Sequence, residues 1–258
     1  MQSLFRFVLV GLLLIIAGSA RAQSPLLEES IGLAGPAMWL ASGVPGMVLV
    51  VVRGHDSVIE GYGETEKGNK TEPTAKSLFR LGSITKVFAT EVLASRVADG
   101  TVRLNDPLEK YAGGVTVPAV AGAPPITLLE LATHTAGLPR EMGYAPDKPP
   151  FTWPTRADRW AWLAKEKLGW APGSVAAYSN VGFDLLADAL ASAAGRPYPT
   201  LLRADVTGPL GMKDTGFNPT PEECKRLMIG SGIGGPGPCV DTAETDGSGG
   251  LYSTGADM

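Results

Sequence analysis

Apolar positions follow two rhythms along this chain. From Leu26 to Leu40 they recur at helical spacing and predict a first helix, which Gly43-Val44-Pro45-Gly46 breaks. Met47 to Val52 is then a continuous, mostly β-branched run, and Gly54-His55-Asp56 has turn chemistry. Val58 to Tyr62 reads as the returning strand, so a buried hairpin is expected, with His55 needing no role beyond its turn.

Beyond the hairpin the rhythm is helical. A helix is predicted from Ser83 to Ala98, with Ile84, Val87, Phe88, Val92 and Val97 as its apolar positions and Gly100 as its stop. Further helices are expected over Ile126 to Thr133, over Arg156 to Lys167 with Trp160 and Leu163 on one face, and over Val181 to Ala194, ended by Gly195 and Pro197. At the far end Ser253-Thr254 reads as a helix N-cap, with Ala256-Asp257-Met258 as a first turn. One turn cannot hold itself, so a domain truncated at its C-terminus is expected. Strand pattern before helix pattern implies an α+β fold in which a helical lobe packs beside a sheet.

The opening residues have a different character. A basic start ending at Arg6, an apolar run from Phe7 to Ile16 and small residues closing in Ala20-Arg21-Ala22 have the layout of a cleaved signal peptide. The run is short of the ~20 residues of a spanning helix, so no stable membrane span is expected after cleavage, and residues 23–258 are read as the exported domain. Loss of Arg6 and Arg21 takes the formal charge from −4 to −6, which argues against a nucleic-acid partner. In an exported chain Cys224 and Cys239 can oxidise, and a local disulfide closing about 15 residues is expected. Two thiols with the distant His55 and His134 show no metal-ligand spacing, so no metal is expected.

The entry to the second helix carries the candidate chemistry. In Gly82-Ser83-Ile84-Thr85-Lys86 the lysine sits three residues after the serine on one helix face, within reach of its oxygen. A hydroxyl needs a base or a nearby cation to become a nucleophile, and lysine can act as either. Tyr178-Ser179-Asn180, following Pro172-Gly173, would bring up a phenol able to act as base beside a cation and an amide able to accept from lysine and donate to substrate.

With His134-Thr135-Ala136-Gly137-Leu138-Pro139 and Gly249-Gly250-Leu251-Tyr252-Ser253-Thr254, these pieces resemble, in order and spacing, the class C serine β-lactamases and related low-molecular-weight penicillin-binding proteins. Within them the chain looks most like the AmpH-like D-alanyl-D-alanine carboxypeptidase/endopeptidase group, which the stretch from Cys239 to Thr242 also matches. The resemblance implies a β-lactamase/transpeptidase-like (DD-peptidase) fold with its C-terminal strands absent here, in a periplasmic or secreted protein.

It further implies an acyl-enzyme on Ser83, with Lys86 and Tyr178 moving protons, Asn180 orienting a substrate amide and the Ser83 backbone N–H forming half of an oxyanion hole. Which of Lys86 and Tyr178 is the base stays open, as does the choice among D-alanyl-D-alanine peptides, β-lactams and carboxylesters. A silent fragment that only binds cell-wall peptides is the alternative. The family's late Lys-Thr-Gly or His-Thr-Gly triplet is not found: in Ser253-Thr254-Gly255, Tyr252 stands in the cation's place, and no strand is expected there.

Three features are set aside. Gly230-Ser231-Gly232-Ile233-Gly234-Gly235 matches a dinucleotide fingerprint, but Pro236 and Pro238 follow it where a helix should open, so no cofactor is implied. His134 lacks the nucleophile-elbow context of a Ser-His-Asp triad and reads as scaffold. The aromatic, proline-rich stretch from Met142 to Trp153 reads as a packed surface loop that could rim a cleft.

Overall fold

In the computed structural model of the chain, residues 25–142, 153–230 and 239–258 are described. The expected signal peptide, most of the Met142 to Trp153 stretch and the body of the dinucleotide-like motif therefore lie outside the described residues.

Helix α1 (Pro25–Ser42) leads into strands β1 (Gly46–Arg53) and β2 (Asp56–Gly63), an antiparallel hairpin turning at Gly54-His55. Its two faces are covered differently. Val58 packs with Leu27 and Ile31 of α1, flanked by Leu49 and Val51. Val48, Val50 and Ile59 face the backbone of Gly255, where a Cβ would stand 2.9 Å from Val48. The expectation of a buried hairpin is corrected: no residue of β1 is fully buried, and Val52 is 63% exposed. A β-branched run satisfies strand geometry whether or not both faces are covered.

A second two-stranded sheet joins β3 (Leu78–Arg80) to β4 (Tyr252–Thr254), antiparallel, with Phe79 opposite Ser253. Ser253 and Thr254 thus lie in a strand and do not cap a helix, because the backbone at Leu78–Arg80 supplies ladder partners from far upstream. After β4 the N–H groups of Asp257 and Met258 both bond to the Thr254 carbonyl, one turn of chain.

The helical lobe holds the main core. Helix α2 (Thr85–Ala98) follows a 3₁₀ turn over Gly82–Ile84; α3 (Leu128–Ala132), α4 (Arg156–Leu163), α5 (Asn180–Ala194) and α6 (Tyr198–Leu202) follow in order. Two of these start on capping boxes, Thr127 with Glu130 before α3 and Thr155 with Asp158 before α4, which satisfy orphan N–H groups. The expected run of α4 to Lys167 stops at Leu163. On α2 the buried stripe is Thr85, Lys86, Phe88, Ala89, Val92 and Leu93, whereas Ile84 and Val87, two of the apolar positions of the expected helix, are 48% and 58% exposed. Helix α5 is buried at every position from Val181 to Ala191, and its side chains pack with those of α2, α3, α4 and α6 in one cluster. Gly195 closes it in a left-handed cap. Cys224 and Cys239 are bridged, with Cα atoms 5.7 Å apart.

Candidate active site

Ser83 stands on the 3₁₀ turn that opens α2, where Gly82 takes a left-handed φ of 53°. The turn leaves Ser83 exposed and, three residues on, carries Lys86 inward to 7% exposure. On the facing element Ser179 caps α5: its hydroxyl accepts from the Gly182 N–H at 3.0 Å and donates to the Pro139 carbonyl at 2.7 Å. Tyr178 and Asn180, on either side of this cap, are presented to α2.

All four predicted side chains meet. The hydroxyls of Ser83 and Tyr178 share a hydrogen bond of 2.6 Å. The Lys86 ammonium donates to Asn180 Oδ1 at 2.7 Å, to the Ser248 carbonyl at 2.6 Å and, at 3.4 Å, to Ser83 Oγ. The same nitrogen lies 4.8 Å from the centre of the Tyr178 ring and 5.4 Å from that of Phe183. The other end of the Asn180 amide donates to Glu141.

Burial pushes the Tyr178 phenol up, but hydrogen bonds from Lys86 and Ser83, with the charges of Lys86 and Arg140, outweigh it and hold the phenol below its ordinary range. A phenol so placed gives up its proton more readily than free tyrosine and sits at hydrogen-bond distance from a serine oxygen.

Beside this group lies a cavity of about 510 Å³. Ser83, Asn180, Glu141, Asp184 and Ser248 line it, and Met142 and Trp153, the ends of the aromatic stretch, also reach it. Among its lining residues Arg159 and Asp184 are buried. Arg159 makes a bidentate pair with Asp188 at 2.9 and 3.1 Å and donates to the Glu244 carbonyl at 2.9 Å, tying α4, α5 and the 243–245 turn together. Asp184 keeps one carboxylate oxygen without a partner, and burial, opposed by Arg159, raises its carboxyl to about 6. Burial likewise drives Asp246 well up, with the charges of Asp184 and Asp188 acting in the same direction. Gly247 lets the 246–250 turn lie directly on α5, since a Cβ there would stand 2.0 Å from the Phe183 carbonyl oxygen. That close approach delivers the Ser248 carbonyl to Lys86.

Ser248, Glu141 and Arg140 went unforeseen; the Gly249-Gly250 motif marks the turn but says nothing of which carbonyl it offers. The Ser253-Thr254-Gly255 segment does form a strand, contrary to expectation, yet Ser253 Oγ bonds Thr215 and Tyr252 Oη takes the Arg80 Nε–H at 3.0 Å. Ser253 and Thr254 are fully buried, away from the cleft. His134 bonds backbone, and His55 lies exposed in its turn. Among the described residues no cluster of metal-ligating groups occurs, and no helix is long and apolar enough to cross a membrane.

The Beta-lactamase family pattern matches residues 28–258. The chain is 51% identical over 223 residues to the D-alanyl-D-alanine-carboxypeptidase/endopeptidase AmpH of Escherichia coli K12, covering 86% of this chain and 57% of that protein. It is 29% identical to a beta-lactamase of the same strain, over 72% of this chain and 47% of that one. Among solved structures, a beta-lactamase/D-alanine carboxypeptidase from Yersinia pestis complexed with citrate superposes with a TM-score of 0.84 at 48% identity, covering 91% of this chain and 67% of that chain. A class C beta lactamase at 20% identity shares the fold, with a TM-score of 0.75 over 92% of this chain and 64% of that chain. The chain therefore spans about half the length of the curated relatives it matches.

Proposed function

Because the chain belongs to the beta-lactamase family, with its β-lactamase/transpeptidase-like fold, we propose that it is an exported, periplasmic or secreted serine hydrolase acting through an acyl-enzyme on D-alanyl-D-alanine peptides or β-lactams. Ser83 is the nucleophile and Tyr178 takes its proton. The observation that carries this reading is the 2.6 Å contact between the two hydroxyls, beside a lysine that also holds Asn180 and the Ser248 carbonyl. The charge of Lys86 helps to hold the Tyr178 phenol below its ordinary range, so in this reading Lys86 serves as the cation that favours phenolate, and Tyr178 serves as the base.

In this reading the Ser83 oxygen attacks the substrate carbonyl as its proton passes to Tyr178, and the phenol then returns that proton to the departing amine. Water hydrolyses the Ser83 ester in a second step with the same phenol as base. Asn180, held between Lys86 and Glu141, faces the cavity and orients the acyl side chain's amide. The Ser83 backbone N–H at the start of the helix supplies one oxyanion donor. The relatives' names point to the same substrate classes: one is a D-alanyl-D-alanine carboxypeptidase/endopeptidase, others beta-lactamases.

Incubation with a fluorescent penicillin tests this. One label per chain is expected, lost in Ser83→Ala. Folded protein that takes no label, or a Ser83→Ala variant that still takes it, overturns the assignment.

A further inference from the structure

Tyr178 is gripped by a single residue that the acyl-transfer scheme does not use. The N–H before it, on Ala177, donates to the His134 carbonyl at 2.8 Å, and the N–H after it, on Ser179, donates to His134 Nδ1 at 3.0 Å. The imidazole also lies against the phenol, ring centres 4.4 Å apart, and against Phe183 at 4.9 Å. His134 makes these contacts from a left-handed backbone, φ 60°, which among the described non-glycine residues only Lys70 shares. Histidine adopts this conformation more readily than most residues, and here the surrounding contacts hold it. Nearby, the Asn180 N–H donates to the Arg140 carbonyl at 2.9 Å, so the segment from His134 to Arg140 cradles the whole Tyr178-Ser179-Asn180 corner.

We propose that His134 is a positioning residue for the proposed base: with its ring neutral and its Nδ1 unprotonated, it fixes the backbone on both sides of Tyr178 and so sets the phenol's place relative to Ser83 and Lys86. The inference rests on the reading of Tyr178 given above. A ring nitrogen that accepts from an N–H carries no proton, so the neutral ring bears its proton on Nε2. Protonating Nδ1 would set two N–H groups face to face and break the grip. Burial and the Lys86 charge both push the imidazole down, which favours the accepting form. The groups facing this ring are the Lys86 ammonium from α2, the Tyr178 phenol, the Ser179 N–H and Phe183 from α5, with the Arg140 guanidinium on the Tyr178 ring. Because Nδ1 is spent on backbone, the residue acts on the reaction only through Tyr178.

The test reads Tyr178 itself. Ultraviolet difference titration, with Tyr178→Phe subtracted to isolate one phenol among six tyrosines, gives its ionisation midpoint whether or not the protein turns over substrate. His134→Phe keeps a ring but loses the acceptor. It should move the midpoint upward by about one pH unit and slow penicillin acylation by about 10²-fold, with little change in penicillin affinity. His134→Asn puts an oxygen where Nδ1 was and tolerates the left-handed backbone, so it should recover most of both. A folded His134→Phe variant with unchanged midpoint and rate overturns the proposal, as does an asparagine variant no better than phenylalanine. The unsubstituted protein gives a further reading that needs no variant to fold: imidazole ¹⁵N shifts at neutral pH should show Nδ1 unprotonated, and a proton there overturns the proposal. If penicillin fails to label any form, the acyl-transfer reading falls while the tyrosine titration and nitrogen shifts still decide on His134.

Discussion

Helix α5 and strand β1 are both apolar runs, yet the fold treats them oppositely. From Val181 to Ala191 every residue of α5 is buried, two aspartates included, whereas β1 has no fully buried residue. The difference lies in partners. Helix α5 is ringed by α2, α3, α4 and α6, while the hairpin has α1 on one face and the Gly255 backbone on the other. The four side chains of the proposed site stand on the better-packed side: Ser83 and Lys86 at the start of α2, and Tyr178 and Asn180 at the start of α5. Rigid, close-packed supports are what hold reacting atoms within tenths of an ångström.

The largest expected effect removes the cation that joins the two helices. Lys86→Ala should slow acylation by fluorescent penicillin by about 10³-fold or more, since the phenol loses the charge that favours its deprotonated form. Circular dichroism should show the fold retained. Labelling at the original rate would remove Lys86 from the mechanism and with it the idea that the lobe's packing serves the site.

Next comes a pair of truncations, one in each region. Leu186→Ala, at a fully buried position of α5, should cost about 3–5 kcal/mol, through lost burial and the cavity left behind. Val51→Ala, on the half-buried α1 face of β1, should cost about 1 kcal/mol. Urea unfolding of the two variants measures both. Equal costs would mean that the regions are equally packed, and the comparison would fail.

Much of this division was legible in the residues. The helical spacing around Trp160 and Leu163 and from Val181 onward marks the lobe, and the serine, lysine, tyrosine and asparagine announce themselves by residue type and spacing. The short sheet did not: three residues at Leu78–Arg80 and three at Tyr252–Thr254 carry no measurable periodicity, and their pairing spans most of the chain. Serine and threonine at the chain's end fit an N-cap as well as a strand, and only the partner strand decides. The Ser248 carbonyl is backbone geometry, which side-chain identity does not encode, and the grip of His134 joins segments 45 residues apart that only the fold brings together. Burial of β1 was overestimated because a β-branched run reports strand conformation, while coverage depends on elements distant in sequence.

The last expected effect separates the regions by pH. Asp184 lies inside α5 with its carboxyl raised to about 6, whereas Asp56 and Glu60 of the hairpin are not buried. A folded-state value above the ordinary carboxylate range means that the neutral acid is the form the fold prefers. Its contribution is therefore complete below about pH 4 and is lost as the pH rises through about 6. Ionised above that range, Asp184 costs up to about 3 kcal/mol, a figure that already contains the relief from Arg159. Asp184→Asn removes that cost, so the variant should gain stability over the parent at pH 8 and gain none at pH 4. His134 works in the opposite direction: its imidazole is held down, so it costs stability on acidification below its ordinary range, and this limb should be the same in both proteins. Thermal melts of parent and variant at the two pH values measure the difference. A gain that is equal at pH 4 and pH 8 would mean that Asp184 does not titrate inside the lobe.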